Sequence, residues 1–206
     1  MSQHAAHIAI IGAGPAGCSA ACHLAAAGSR VTLIESKAFP RVKVCGEYVS
    51  PAGTGDLEAL LDCDRLRAVG ARRVDRFAIV RHARGRDRRV SWDAPAAAWT
   101  LSRGTLDAAL MARAIELGVR VMQPAAVREV RYGEAGVEIE LSNAENAGDR
   151  RIVASLVIHA DGSGRHDPAG PISVARGLVG LKCHARLAIG ECGEDAVEMR
   201  AGEGMY

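Results

Sequence analysis

The stretch His7-Ile8-Ala9-Ile10-Ile11-Gly12-Ala13-Gly14-Pro15-Ala16-Gly17 decides the fold. An apolar run, His7 to Ile11, enters a turn that carries glycine at its first, third and sixth positions, and an alanine-rich segment, Cys18 to Ala27, follows it. A second apolar run, Arg30 to Ile34, ends on Glu35. This order reads as strand, tight turn, helix, strand. In such a unit the first glycine makes the turn, the second lets the backbone approach a pyrophosphate, and the third lets the helix sit close to the strand. The helix N-terminus offers unpaired N–H groups and a partial positive charge to phosphates. Glu35 lies 18 residues past Gly17, where a carboxylate accepts hydrogen bonds from a ribose diol. The combination predicts a dinucleotide held by Gly12, Gly14, Pro15, Ala16, Gly17, Glu35 and the neighbouring Ser36. The alternative is a glycine-rich turn in an ordinary strand–helix–strand unit.

Outward from this unit, Ser36 to Ser50 reads as a loop, with Ser50 as the N-cap and Pro51 in the first turn of a helix that buries Leu57, Leu60 and Leu61. Arg73 to Arg81 alternates as a strand, Arg84 to Asp87 turns, and Arg88 to Trp92 returns. That hairpin marks a second, antiparallel region, and Trp99 to Ser102 reads as a further short strand. Leu106, Leu110, Ala114 and Leu117 repeat at helical spacing over 103–117, stopped by Gly118. Val119 to Met122 reads as a parallel strand, Ala126 to Tyr132 and Gly136 to Leu141 as a hairpin, and Asn143 to Arg150 as a polar loop. Ile152-Val153 and Leu156 to His159 read as strands that end at Ala160-Asp161-Gly162. Gly177 to Ile189 alternates like a strand of the second region, and the chain stops at Gly204-Met205-Tyr206 as if inside a strand or turn.

Composition narrows the function classes. Apolar residues make up 49% of 206 positions, enough for a core, and the net charge of +2 gives no case for nucleic acid or an anionic membrane as main partner. Lys37, Lys43 and Lys182 are the only lysines. None of the six cysteines forms a Cys-x-x-Cys pair, and the histidines show no spaced cluster, so no metal site is expected. His159, on a buried strand, reads as a core residue rather than a base. The first apolar run is too short for a signal peptide or a membrane span, so a reduced cytoplasmic protein is expected.

The ordered set of motifs resembles a known family. The first strand–turn–helix, Glu35, the helix opening Arg103-x-x-Leu106-Asp107 and the strand end Ala160-Asp161-Gly162 recur in this order in flavoprotein monooxygenases of the p-hydroxybenzoate hydroxylase type, a superfamily that includes geranylgeranyl reductases and flavin-dependent halogenases. The resemblance implies an α/β fold: a Rossmann-like FAD-binding domain with a parallel sheet, interleaved with a partial, mainly antiparallel substrate domain. The expected divisions are residues 1–72 and 103–170 for the FAD-binding domain, and residues 73–102 and 171–206 for the substrate domain. It further implies that Glu35 holds the adenosine ribose and that Arg41 lies near the FAD or the mouth of the nicotinamide site. Arg103 would reach the pyrophosphate or ribityl chain, and the Val127 backbone would face the adenine. For each arginine the alternative is a solvated surface cation.

Lys43-Val44-Cys45-Gly46-Glu47 resembles the Lys-x-Cys-Gly-Glu segment of geranylgeranyl reductase-like flavoproteins, in which the cysteine lies near the flavin ring and the glycine lets the loop pass over it. A flavin-proximal role and a purely structural role for Cys45 both stand. Halogenases carry a related Gly-Glu segment but need a lysine on the next long strand; here that strand reads Phe77-Ala78-Ile79-Val80-Arg81. This departure argues against halogenation. Asp161-Gly162 matches the motif that serves FAD and the NAD(P)H reductant, with an ordinary strand-end turn as the alternative. Its continuation has Arg165 and Pro168 where the hydroxylase form expects serine and arginine.

The implied activity is that of an FAD-dependent oxidoreductase, reduced by NAD(P)H, which hydroxylates with O2 or reduces a carbon–carbon double bond in a small-molecule or peptide-borne substrate. A halogenase-like enzyme, an NAD-sensing module and a non-catalytic FAD-fold fragment are the alternatives. The family's second Gly-Asp motif would lie beyond residue 206, so the chain is expected to be an N-terminal half that alone holds FAD weakly or is inactive.

Overall fold

The computed structural model describes residues 6–83, 85–142, 150–162, 182–184 and 196–201. In chain order its first elements are β1 (His7–Ile11), α1 (Pro15–Ala26), β2 (Arg30–Ile34), β3 (Tyr48–Val49), α2 (Pro51–Leu61), α3 (Cys63–Ala68), β4 (Arg72–Ala83) and β5 (Arg86–Thr100). There follow α4 (Arg103–Glu116), β6 (Arg120–Met122), β7 (Val127–Gly133), β8 (Gly136–Leu141), β9 (Arg151–Ala154), β10 (Leu156–His159) and β11 (Ala196–Ala201). The chain divides into two units, Met1–Lys43 with Arg103–Val179 and Val44–Ser102 with Gly180–Tyr206.

In the first unit, the short apolar runs pair as a parallel sheet in the order β10-β1-β2-β6. Strands apolar on both faces suit a sheet covered on both sides, and this one is. Ala9, Ile11, Ile34 and Met122 meet Val137, Ile139, Leu141, Ile152 and Ala154 from the antiparallel sheet β7-β8-β9. The period of two leaves Ile8, Ile10, Val31 and Leu33 for the opposite face, where α1 packs on β1 and β2. Burying each such aliphatic side chain stabilises by about 1.5–3 kcal/mol. Helix α4 buries Leu106, Leu110, Met111 and Ala114 and packs against α1. It ends before Gly118, whose φ of +86° few other residues adopt without strain.

In the second unit, the sheet order is β11-β4-β5-β3, with β4 and β5 antiparallel and β11 parallel to β4. The hairpin is longer than its sequence pattern indicates. β5 runs through Pro95 to Thr100 and so absorbs the separate strand expected at Trp99 to Ser102. Proline gives no N–H to a ladder and reads as a break. Here it falls where pairing with β4 jumps from Val74↔Ala98 to Arg76↔Asp93, so no ladder bond is lost. Ser50 is the N-cap of α2, as its sequence predicts, although its side chain makes no capping bond. Leu57 and Leu61 are buried, and the Trp99 indole Nε1, on a fully buried side chain, donates to Glu58 Oε1 at 2.8 Å. Of the expected strand from Gly177 to Ile189 only residues 182–184 are described, without regular structure. Most of the polar loop after Asn143 and the end at Gly204 to Tyr206 lie outside the described residues.

Candidate functional site

The site begins at the C-terminal end of β1. Gly12 donates its N–H to Ile34 O at 2.7 Å, and on the other side Ala160 donates to Ile11 O at 2.7 Å, so both neighbouring strands clamp the turn. Gly12 has φ +100°, and a Cβ there would stand 2.8 Å from the Asp161 Cα and closer still to the Ala160 carbonyl. A Cβ on Gly17 would press into the Gly12 carbonyl, whose carbon lies 3.0 Å away. These two glycines are therefore fixed by the protein's own packing, one against β10 and one within the turn.

Gly14 is different. It is the N-cap of α1, with Pro15 opening the helix and no side chain capping it. A Cβ at Gly14 would meet no backbone, only the Nη2 atoms of Arg41 at 3.8 Å and Arg103 at 4.0 Å. Two guanidinium groups thus approach the bare backbone at the positive end of a helix.

Four charged side chains surround this point. The Glu35 backbone is pinned on both sides, donating to Met122 O at 2.9 Å and accepting from Ala125 N at 2.7 Å. Its carboxylate turns back toward the turn. Oε2 accepts from Ala13 N at 3.1 Å and Arg41 Nη2 at 3.3 Å; Oε1 accepts from Lys37 N at 3.0 Å and Ser36 Oγ at 3.3 Å. Arg41 lies with its Cζ 4.8 Å from the Phe39 ring centroid, a cation–π contact, and its Nη1 is 3.3 Å from Asp107 Oδ2. Asp107, one turn into α4, is wholly buried and takes a forked pair from Arg103, Nε to Oδ1 at 2.8 Å and Nη2 to Oδ2 at 2.9 Å.

Two guanidinium and two carboxylate groups therefore stand in a row, Glu35–Arg41–Asp107–Arg103, with side-chain exposures of 7, 9, 0 and 18%. Burying charges is costly unless each is paired and its hydrogen-bonding capacity is used. Arg41 falls short: its Nε and Nη1 are buried without a hydrogen-bond acceptor, since the Asp107 oxygen is near enough to attract but poorly aligned. Buried donors left over beside an uncapped helix start fit an anion with several acceptor oxygens. The residues present fit a dinucleotide diphosphate.

The other sequence candidates lie as follows. Asp161 abuts Gly12, as described, and Gly162 has φ +85°. Val127 opens β7 and packs on the core between the two sheets. His159 is half-buried and its Nε2 meets the Tyr132 hydroxyl at 2.9 Å. Cys45 and Gly46 belong to the second unit. There the adjacent Glu47, at φ +57°, takes the Lys182 ammonium and accepts the His184 ring Nε2 at 2.8 Å. Among the described residues no cluster of metal-ligating side chains exists, and no helix is long and apolar enough to cross a membrane. Two participants were given no role by the sequence, Phe39 and the Asp107 carboxylate, although Asp107 stands in the helix opening that carries the resemblance. The i, i+4 spacing of Arg103 and Asp107 is the one local signal that could have marked the latter.

Comparison with known proteins follows the same line. The family described as FAD binding domain matches residues 5–182. The chain is 32% identical over 139 residues to a menaquinone reductase of Mycolicibacterium smegmatis, covering 64% of this chain and 32% of that protein. It is 31% identical over 163 residues to the FAD-dependent monooxygenase OpS4 of Beauveria bassiana, covering 76% and 37%. Among solved structures, a flavoprotein/dehydrogenase from Cytophaga hutchinsonii superposes with a TM-score of 0.68 at 26% identity, over 79% of this chain and 41% of that one. The halogenase PltM in complex with phloroglucinol and FAD shares the fold, with a TM-score of 0.65 at 23% identity, over 77% and 35%. The chain thus spans about a third of the length of the curated relatives it matches.

Proposed function

Because this chain belongs to the FAD binding domain family, we propose that it forms the FAD-holding part of an oxidoreductase reduced by NAD(P)H. The observation that carries this reading is the pair of arginines at Gly14, with side chains 9 and 18% exposed, beside the uncapped start of α1 and the carboxylate of Glu35. The N–H groups of the first turn of α1, with Arg41 and Arg103, would bind the diphosphate. Glu35 would accept the adenosine ribose hydroxyls. Its four acceptor positions are engaged by Ala13, Lys37, Ser36 and Arg41. The two 3.3 Å contacts, from Ser36 and Arg41, are the weaker ones that a ribose diol would replace. Val127 and Asp161 are further proposed contacts, carried by the resemblance and, for Asp161, by its place against Gly12. A flavin-proximal role for Cys45 and Gly46 rests on the resemblance of their segment alone.

FAD, when bound, supplies two-electron chemistry between a nicotinamide donor and the final acceptor. For that acceptor we favour a double bond of an apolar, isoprenoid-type molecule. The Lys43 to Glu47 segment resembles that of geranylgeranyl reductases, and one relative is named a menaquinone reductase. Hydroxylation with O2 is the second reading, favoured by the relative named a monooxygenase, which matches more of the chain.

The test is an absorption spectrum of the purified protein with added FAD, followed by anaerobic NADH or NADPH and then by a menaquinone. At saturating FAD we expect perturbed flavin bands that bleach with a nicotinamide nucleotide and recover as the menaquinone gains two hydrogens. Recovery only on admitting O2 with an aromatic substrate would favour hydroxylation. Absence of any flavin binding even at saturating FAD would overturn both readings.

A further inference from the structure

Asp107 stands back from the turn itself, yet among the described residues of the first unit it is the most deeply buried charge, with 0% exposure. Its two oxygens are bound by two different arginines. Arg103 takes both in a fork at 2.8 and 2.9 Å, and Arg41 approaches Oδ2 at 3.3 Å. The same two arginines place their Nη2 atoms nearest to Gly14. One carboxylate therefore fixes where two long, flexible cations aim. Phe39 beneath Arg41 and Glu35 beside it hold Arg41, whereas the Asp107 carboxylate meets both arginines.

We propose that Asp107 is a positioning residue for the cofactor: it sets the Arg41 and Arg103 guanidinium groups over the start of α1 so that they converge on the two phosphates of a dinucleotide. The proposal rests on the dinucleotide reading of the turn and adds a residue that acts through others. Its physical basis is pre-organisation. Arginine carries large side-chain entropy. A buried forked pair removes that freedom in advance, so that less is lost when the anion arrives. A rival role for the same residue is electrostatic tuning, in which its negative charge merely offsets two positive ones and lowers affinity for anions. The two roles predict opposite results.

The experiment is isothermal titration of the protein with FAD, ADP and adenosine, comparing wild type with Asp107→Glu and Asp107→Asn. Asp107→Glu keeps the charge and moves the carboxylate by one methylene; Asp107→Asn keeps the shape and removes the charge. Both should weaken ADP and FAD by about tenfold. Both should leave adenosine within about twofold of wild type, because it carries no phosphate for the arginines to meet. In a double-mutant cycle, Asp107→Glu combined with Arg103→Lys should weaken ADP by less than the product of the two single losses, since the Arg103 fork can be broken only once while the Arg41 contact is disturbed by the change at 107 alone. Wild-type affinity for ADP in Asp107→Glu, or tighter ADP binding in Asp107→Asn, would overturn the proposal in favour of charge tuning. Equal loss of adenosine would overturn it in favour of general damage to the pocket. Should Asp107→Glu not fold, Asp107→Asn and its near-ultraviolet circular dichroism still decide. If wild type itself binds neither ADP nor FAD, it is the dinucleotide reading that has failed.

Discussion

At the scale of single residues, the site depends on charges that could not be buried separately. Arg41 is kept at 9% side-chain exposure by carboxylates on either side and an aromatic ring beneath. Its sequence neighbours gave no sign of this, because Glu35 and Asp107 come from the end of β2 and from α4. Cys18 shows the same burial acting on a neutral group. Its side chain has no exposure, its Sγ donates to Ala13 O at 3.4 Å, and desolvation, with the nearby Cys22 adding to it, pushes its pKa from 9.0 up to about 12. The folded thiol keeps its proton where the unfolded one loses it. Between pH 9 and about 12 the native state therefore binds more protons, and stability falls as pH rises. We expect the urea midpoint to drop above pH 9, with Cys18 contributing at most about 1.4 kcal/mol per pH unit. Cys18→Ala should show a shallower drop over the same range, and an unchanged slope would contradict this assignment.

At the scale of elements, the opening β1–turn–α1–β2 unit was legible because its signals are local: two apolar runs, three glycines, and an acid at the second strand tip. The structure divides those glycines by physical role. Gly12 and Gly17 are required by the protein's own backbone, whereas Gly14 is bounded only by two arginines. Gly17→Ala should destabilise the protein by about 3 kcal/mol or more, since the new Cβ has backbone and not a movable side chain to displace. Gly55 supplies the opposite case. It lies inside α2, is exposed, and would meet nothing within 4 Å. Gly55→Ala should therefore stabilise by about 0.5–1 kcal/mol through helix propensity. Denaturation midpoints of the two variants check both signs. The short β3 and α3 were missed outright, and the long hairpin was cut short. Whether Pro95 breaks a strand depends on what its partner strand offers at that point, and that is a non-local fact.

At the scale of the whole molecule, the alternation of parallel and antiparallel segments was readable, and the structure shows a parallel sheet in one unit and a mainly antiparallel one in the other. The segment sharing a sheet with β4 through β11, Ala196–Ala201, was not read as a strand in its own right. Its pattern is short and its partner lies more than a hundred residues away. What unites the legible parts is that each rests on neighbours in sequence, while the charge row and the clamp on Gly12 join residues from both ends of the first unit. The most direct measurement is a crystal structure of the protein with FAD bound. We expect diphosphate oxygens within hydrogen-bond distance of the backbone N–H groups at the start of α1 and of Arg41 or Arg103, with the adenosine ribose on Glu35. A diphosphate bound elsewhere, with Glu35 and Arg41 still paired to each other and to nothing of the cofactor, would contradict the assignment.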